Sequence, residues 1–232
     1  MPALDWVEIP GGDFIYQEGK KRNLPTFHMA RYPVTNVQYQ TFIKAGGYRD
    51  ESWWENLVRP ETQVPRWPQG NRPRTNVNWY EAVAFSRWLS AQLGYEVRLP
   101  TEEEWERAAR GRVGRQYPWG DRYESGSANI DEKAAYSGQC YLKQTIAVGV
   151  YPHGASAEGV LDLVGHVWEW CLNKYEQPER IVADGTEANR VLRGASWHSD
   201  SSLARGSTRD RCPPGGRSVN FGFRLVSSAP IA

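Results

Sequence analysis

Cysteine is scarce. The 232 residues hold three, Cys140, Cys171 and Cys212, and none forms a CxxC pair. That is too few and too scattered for a disulfide framework, and it predicts reduced thiols in a cytoplasmic protein. Net charge is nearly absent too. The 28 basic and 27 acidic side chains leave +1, which argues against a nucleic-acid partner or an anionic membrane surface. No apolar run approaches the roughly 20 residues that span a bilayer, so no membrane insertion is expected. The first ten residues show no basic stretch followed by an apolar one, hence no visible signal peptide. His28, His153, His166 and His198 stand alone, without metal-ligand spacing. Neither a glycine-rich phosphate loop nor a serine-hydrolase elbow is present.

What the chain has in quantity is aromatic rings and turn residues. Eleven Trp and twelve Tyr accompany 22 Gly and 15 Pro spread along the sequence. Such rings bury much area and hold irregular backbone in place, so a folded, loop-rich domain is expected rather than disorder. No repeat or low-complexity linker divides the chain, which reads as one domain over residues 1–232.

Local signals place the elements. Trp6–Ile9, Asp13–Tyr16 and Phe27–Tyr32 read as strands ended by turns. Thr35 and Asn36 cap a short helix carrying Val37, Tyr39, Phe42 and Ile43. Residues 46–77 read as an ordered loop pinned by Trp53, Trp54 and Trp67. A helix starts at Asn78, carries Val83, Phe85, Trp88, Leu89 and Leu93, and stops at Gly94. Another opens at Thr101 with a capping box to Glu104, and Glu102, Glu103 and Glu104 suit the positive end of its dipole. Their role is read as capping, because a catalytic carboxylate pair needs a burial that helix starts seldom provide. After Gly111 the helical period stops. Ala147–Tyr151, Val160–Val164, Val167–Leu172, Arg190–Leu192 and Phe223–Val226 read as short strands, giving an α+β class.

Seven segments carry a family resemblance. They are Val7-Glu8-Ile9-Pro10-Gly11-Gly12, Tyr32-Pro33-Val34-Thr35-Asn36, Arg98-Leu99-Pro100-Thr101-Glu102-Glu103-Glu104-Trp105-Glu106, Tyr117-Pro118-Trp119-Gly120-Asp121, Gly165-His166-Val167-Trp168-Glu169-Trp170, Val191-Leu192-Arg193-Gly194-Ala195-Ser196-Trp197 and Gly222-Phe223-Arg224-Leu225. In this order they resemble the formylglycine-generating-enzyme and sulfatase-modifying family. The resemblance implies a C-type-lectin-like fold with little regular structure. Physically, Trp105, Trp119, Trp168, Trp170 and Trp197 read as core.

The resemblance also supplies a test. In the enzyme, two cysteines after the Gly-Ser-aromatic segment bind copper and activate oxygen, which needs soft thiolates. The matching positions are Ser199 and Ala204. No copper and no enzyme activity are therefore expected. Related iron-dependent sulfoxide synthases draw three histidines from an added helical domain, and the histidines here lack that spacing. Family members also hold structural calcium. The resemblance maps such a site onto Asp162, Gly165, Val167 and Glu169, and a second onto Asn129, Ile130 and Leu142 with Cys140 in the acidic position.

The stretch from His198 to Phe221 lies where the enzyme keeps its active site. It contains no Lys, Glu, Gln, Met or Trp. Those five residues are the ones that adenine mutagenesis of AAY codons cannot produce. The stretch thus resembles the variable region of proteins diversified by retroelements. The residues assigned to a variable ligand-binding surface are His198, Ser199, Asp200, Ser202, Leu203, Gly206, Ser207, Thr208, Asp210, Cys212, Gly215, Gly216, Ser218, Val219, Asn220 and Phe221. Arg205, Arg209, Arg211, Arg217 and Arg224 are expected to pair inside the fold. The leading expectation is a non-catalytic domain displaying exchangeable side chains to a partner, expected to be a protein. The alternatives are a sensor or regulatory domain of a larger bacterial signalling or defence protein, and an oxygen-dependent enzyme with altered chemistry.

Overall fold

The computed structural model describes residues 4–228, and everything structural below refers to them. Strands β1 (Trp6–Ile9), β2 (Gly12–Tyr16), β3 (Lys20–Leu24) and β4 (Phe27–Ala30) open the chain, followed by helices α1 (Asn36–Lys44), α2 (Trp79–Leu93) and α3 (Glu102–Arg110). The second half carries β5 (Trp168–Lys174), β6 (Arg190–Arg193), β7 (Arg209–Cys212), β8 (Phe221–Gly222) and β9 (Val226–Ser227). The class is α+β, and the long stretches between elements are irregular.

Both longer-range helix predictions rest on caps that the structure contains. Asn78 accepts from the Glu81 amide at 2.9 Å while Glu81 returns a bond at 2.8 Å. Gly94 closes α2 at φ 75°, in the left-handed region that glycine takes without penalty. Thr101 and Glu104 form the same reciprocal box at the start of α3.

Three sheets organise the rest. The first has order β1-β4-β9 and joins the two chain ends. The second is the β2-β3 hairpin, and the third has order β7-β6-β5-β8 with β8 parallel to β5. α2 runs through the largest apolar cluster, which gathers Tyr39, Phe42, Trp79, Phe85, Trp88, Trp170 and Phe223. α3 contributes Trp105, Ala108 and Ala109 to a second cluster with Cys171 and Val191.

Several expectations are corrected. Ala147–Tyr151 and Val160–Val164 are not strands. Their amides go to distant single partners, Val148 to Asn71 and Leu161 to Arg31. β3 was not anticipated, because Lys20, Lys21 and Arg22 alternate nothing apolar and lie on an exposed hairpin. β7 likewise hides in a polar run, Arg209 to Cys212. Phe223–Leu225 lies between β8 and β9 rather than inside a strand, and of the expected strand only Val226 belongs to one.

The helix start at α3 is also more than a cap. Glu102 and Glu106 are fully buried. Arg193 donates to Glu102 at 2.8 Å and to Glu106 at 2.6 Å, while Arg209 adds to Glu102 and Arg110 bonds Glu106 at 2.5 Å. The first turn of α3 docks against β6 and the 205–209 segment, so burial reaches a position that a surface helix start would not offer.

Candidate functional site

The segment 197–221 starts from an unusual turn. Gly194 sits at φ 92°, and a Cβ there would lie 2.5 Å from the Leu163 carbonyl oxygen. Its own carbonyl accepts from the Gly165 amide at 2.7 Å. Only glycine permits that approach, at the point where the chain leaves β6 toward Ser196 and Trp197.

From there the backbone is held by groups outside the segment. The Asp131 amide donates to the Ser199 carbonyl at 2.8 Å, and Arg193 donates to the Gly206 carbonyl at 2.7 Å. Gln17 reaches the Ser207 carbonyl at 3.2 Å. The amides of Trp79, Asn76 and Trp168 donate to Pro214, Ser218 and Asn220 at 3.0, 3.0 and 2.8 Å. β7 adds the ladder to β6.

The side chains mostly play no part in this scaffold. His198, Ser202, Leu203, Asp210 and Gly215 are exposed. Asp200, Ser207, Thr208, Cys212, Gly216, Ser218, Val219, Asn220 and Phe221 are half-buried. Ser199 and Gly206 are buried and belong to the framework. Ser199 accepts from the Ser196 amide at 3.1 Å, and a Cβ on Gly206 would stand 2.6 Å from the Arg110 side chain. Asp200 accepts from the Ser202 amide and hydroxyl, and these bonds hold its carboxyl below the usual range. Phe221 meets Trp170 edge-on at 5.6 Å.

The two ends of the segment converge. Asn220 donates to the Ser196 hydroxyl at 3.0 Å, and Ser218 bonds Asn220. Beside them runs an aromatic row. Trp67 lies edge-on to Trp197 at 5.5 Å, Trp197 lies 5.2 Å from His198, and His198 stacks on Tyr141 at 6.3 Å. Arg66 lies 5.2 Å over Trp67 and Lys143 lies 5.5 Å over Tyr141. Trp197 Nε1 is buried without a partner among the described residues. Trp67, Tyr141 and Ser196 were missed as site residues because they lie outside the variable stretch. Trp197 was read only as core.

Three of the five arginines pair inside the fold as expected: Arg209 with Glu102, Arg217 with Glu81 and Arg224 with Glu169. Arg211 meets Glu176 on the exposed surface instead. Arg205 is exposed. At the position of the first copper cysteine Ser199 bonds Ser196, and at the second Ala204 packs with Tyr117 and Val164.

The residues expected to hold calcium fit that ion poorly. Arg224 donates to both oxygens of Glu169, at 2.6 and 2.8 Å, and Trp105 adds a bond at 2.7 Å. The same guanidinium donates to the Asp162 carbonyl at 3.1 Å. Asp162 itself accepts from the Gly149 amide at 2.7 Å. Gly165 and Val167 bring no side-chain ligand, so a cation there would face a guanidinium that already matches the one fully buried carboxylate. At the second mapped site Asn129 Oδ1 is unpaired, while Cys140 is exposed on the surface.

Comparison with known proteins follows from this architecture. The model of the Sulfatase-modifying factor enzyme 1-like domain matches residues 2–229. A hercynine oxygenase of Mycolicibacterium thermoresistibile is 34% identical over 88% of this chain and 51% of its own length. The chain thus spans about half of that relative. An inactive C-alpha-formylglycine-generating enzyme 2 of Bos taurus is 30% identical over 98% of this chain and 89% of its own. Among solved structures, Treponema denticola variable protein 1 superposes with a TM-score of 0.70 at 20% identity, covering 97% and 95% of the two chains, a likeness of fold. These findings correct one expectation. Missing thiols at 199 and 204 led to the reading that the chain is no enzyme, yet it is similar to proteins that bear enzyme names, such as that oxygenase. The absent pair speaks to one ligand set only.

Proposed function

Because the chain belongs to the Sulfatase-modifying factor enzyme 1-like family, we propose that it is a ligand-binding domain of that family in which the 198–221 segment displays exchangeable side chains. The observation that carries this reading is the division of labour in the segment. Main-chain groups are fixed by Asp131, Arg193, Gln17, Trp79, Asn76 and Trp168, while Leu203 and Asp210 project into solvent and the exposed Ser202 and His198 bond Asp200 and Tyr141. A loop held by its backbone keeps its shape when its side chains change. Trp67, Trp197 and Tyr141 supply constant aromatic area beside the variable positions, His198 among them. The partner proposed is a protein, met by a mixed polar and aromatic surface.

A library randomised at those exposed positions, displayed and selected against a model protein such as egg lysozyme, tests the reading. Folded binders at ordinary yield support it. A library that is mostly unfolded overturns it. The gene context offers a second check: a near-identical template copy of the stretch beside a reverse transcriptase.

A second reading places oxygen-dependent chemistry at the same aromatic row, and the 34% identity to a hercynine oxygenase favours it. Iron or copper titration with oxygen-consumption measurement separates the two.

A further inference from the structure

A cavity of about 440 Å³ lies between α1 and the loop around residues 62–74, the loop that also carries Trp67 of the aromatic row. That volume falls in the range of ordinary small-molecule pockets, roughly 300 to 1,000 Å³. Its apolar wall includes Val37, Ile43, Val64 and Pro65. Val37 is 46% exposed and Val64 78%, so the mouth leaves apolar surface in water.

Its polar wall contains two buried side chains that are incompletely used. Asn36 is 7% exposed and Arg74 3%. Asn36 spends its amide N–H groups on the carbonyls of Trp67 and Gln69, at 2.9 and 3.0 Å, which leaves Oδ1 without a partner. Arg74 bonds the Gln63 carbonyl and lies 4.5 Å over the Tyr39 ring, and its Nε has no partner. Arg74 forms no ion pair among the described residues, although a buried cation without a counter-charge is costly. The nearby carboxylate, Glu81, is already matched by Arg217.

The backbone fixes the spacing of this pair. Thr35 and Pro73 form an isolated antiparallel bridge, with the Asn36 amide donating to Arg72 and the Arg74 amide to Val34. Asn36, the first residue of α1, and Arg74 thus lie next to the bridge, one on each of its two segments.

We propose that this cavity binds a small apolar carboxylate that carries an N–H donor, of the N-acyl amino acid class. The carboxylate meets Arg74, the N–H meets Asn36 Oδ1, and an aliphatic body lies on Val37, Ile43 and Val64. None of the lining residues belongs to the 198–221 segment, and failure of this proposal leaves that reading intact.

Calorimetric titration of the full chain with N-acetyl-L-leucine tests it. N-acetyl-L-leucinamide keeps the N–H and removes the charge. 4-Methylpentanoate keeps the charge and removes the N–H. Saturable one-site binding is expected, with each analogue at least about tenfold weaker, the loss of one charge-assisted or buried hydrogen bond. Arg74→Met is expected to lose binding. Val37→Trp, made at a half-exposed position, closes the mouth with both polar groups retained and is expected to lose binding at an unchanged melting temperature. If Arg74→Met does not fold, the analogues and Val37→Trp decide. No saturable heat with N-acetyl-L-leucine, equal affinity for the amide, or full binding by Val37→Trp overturns the proposal.

Discussion

Arg193 and Glu106 form an ion pair at 2.6 Å in which neither side chain touches solvent. The same guanidinium reaches Glu102 and the Gly206 carbonyl. One buried cation on β6 therefore ties the first turns of α3 to the middle of the 197–221 segment. Glu102 and Glu106 together hold Arg193 firmly in its charged form, against the desolvation that burial imposes.

Removing that cation leaves buried Glu102 with Arg209, and buried Glu106 with Arg110, as the remaining counter-charge. Arg193→Met is predicted to cost about 3–5 kcal/mol of folding stability, the range for breaking a buried pair from one side. Guanidinium titration measures it. Glu106→Gln is predicted to cost less, because Arg193 keeps Glu102.

Two glycines of the segment should respond oppositely. Gly206→Ala drives a methyl against Arg110, whose guanidinium is fixed by Arg115, Gln17, Glu106 and Gly114, and about 1–3 kcal/mol is expected. Gly215 has open space where its Cβ would stand. Gly215→Ala should change stability by less than about 0.5 kcal/mol. Thermal melts of the two variants check the contrast.

Acid should weaken the fold through Asp184. Burial alone would raise its pKa, but hydrogen bonds from Lys174 and Thr186 and the charge of Arg190 bring it from 3.8 to about 2. A depressed carboxylate stabilises the protein above its unfolded pKa and loses that contribution as pH falls through the folded one. Stability should thus decline between about pH 4 and pH 2, and Asp184→Asn should flatten that slope in pH-dependent melts.

Much of this architecture could be read along the chain. Asn78, Glu81 and Gly94 bracket α2, and Thr101 with Glu104 opens α3, because caps are local chemistry. The two expected strands at 147–151 and 160–164 failed for the opposite reason. Val160, Leu163 and Val164 are buried without strand pairing, Val150 is exposed, and Val148 and Leu161 bond single distant carbonyls. β3 was hidden by its lysines. At the site, the boundaries of the polar stretch were visible, but Tyr141, Trp67 and Ser196 arrive from three other places in the sequence. Glu102 was read as a cap since nothing local announces that Arg193 and Arg209 will cover it. The calcium expectation met the same obstacle in Arg224, which lies 55 residues from the Glu169 it occupies.

The account turns on a backbone held from outside and side chains left free. Its most direct measurement is the unfolding free energy of one variant carrying Leu203→Ala, Arg205→Ala and Asp210→Ala together. Exposed, independent sites predict a total change within about 1–2 kcal/mol, near additivity. A cooperative loss well beyond that, comparable to Arg193→Met, would show that these side chains hold the loop and would contradict the account.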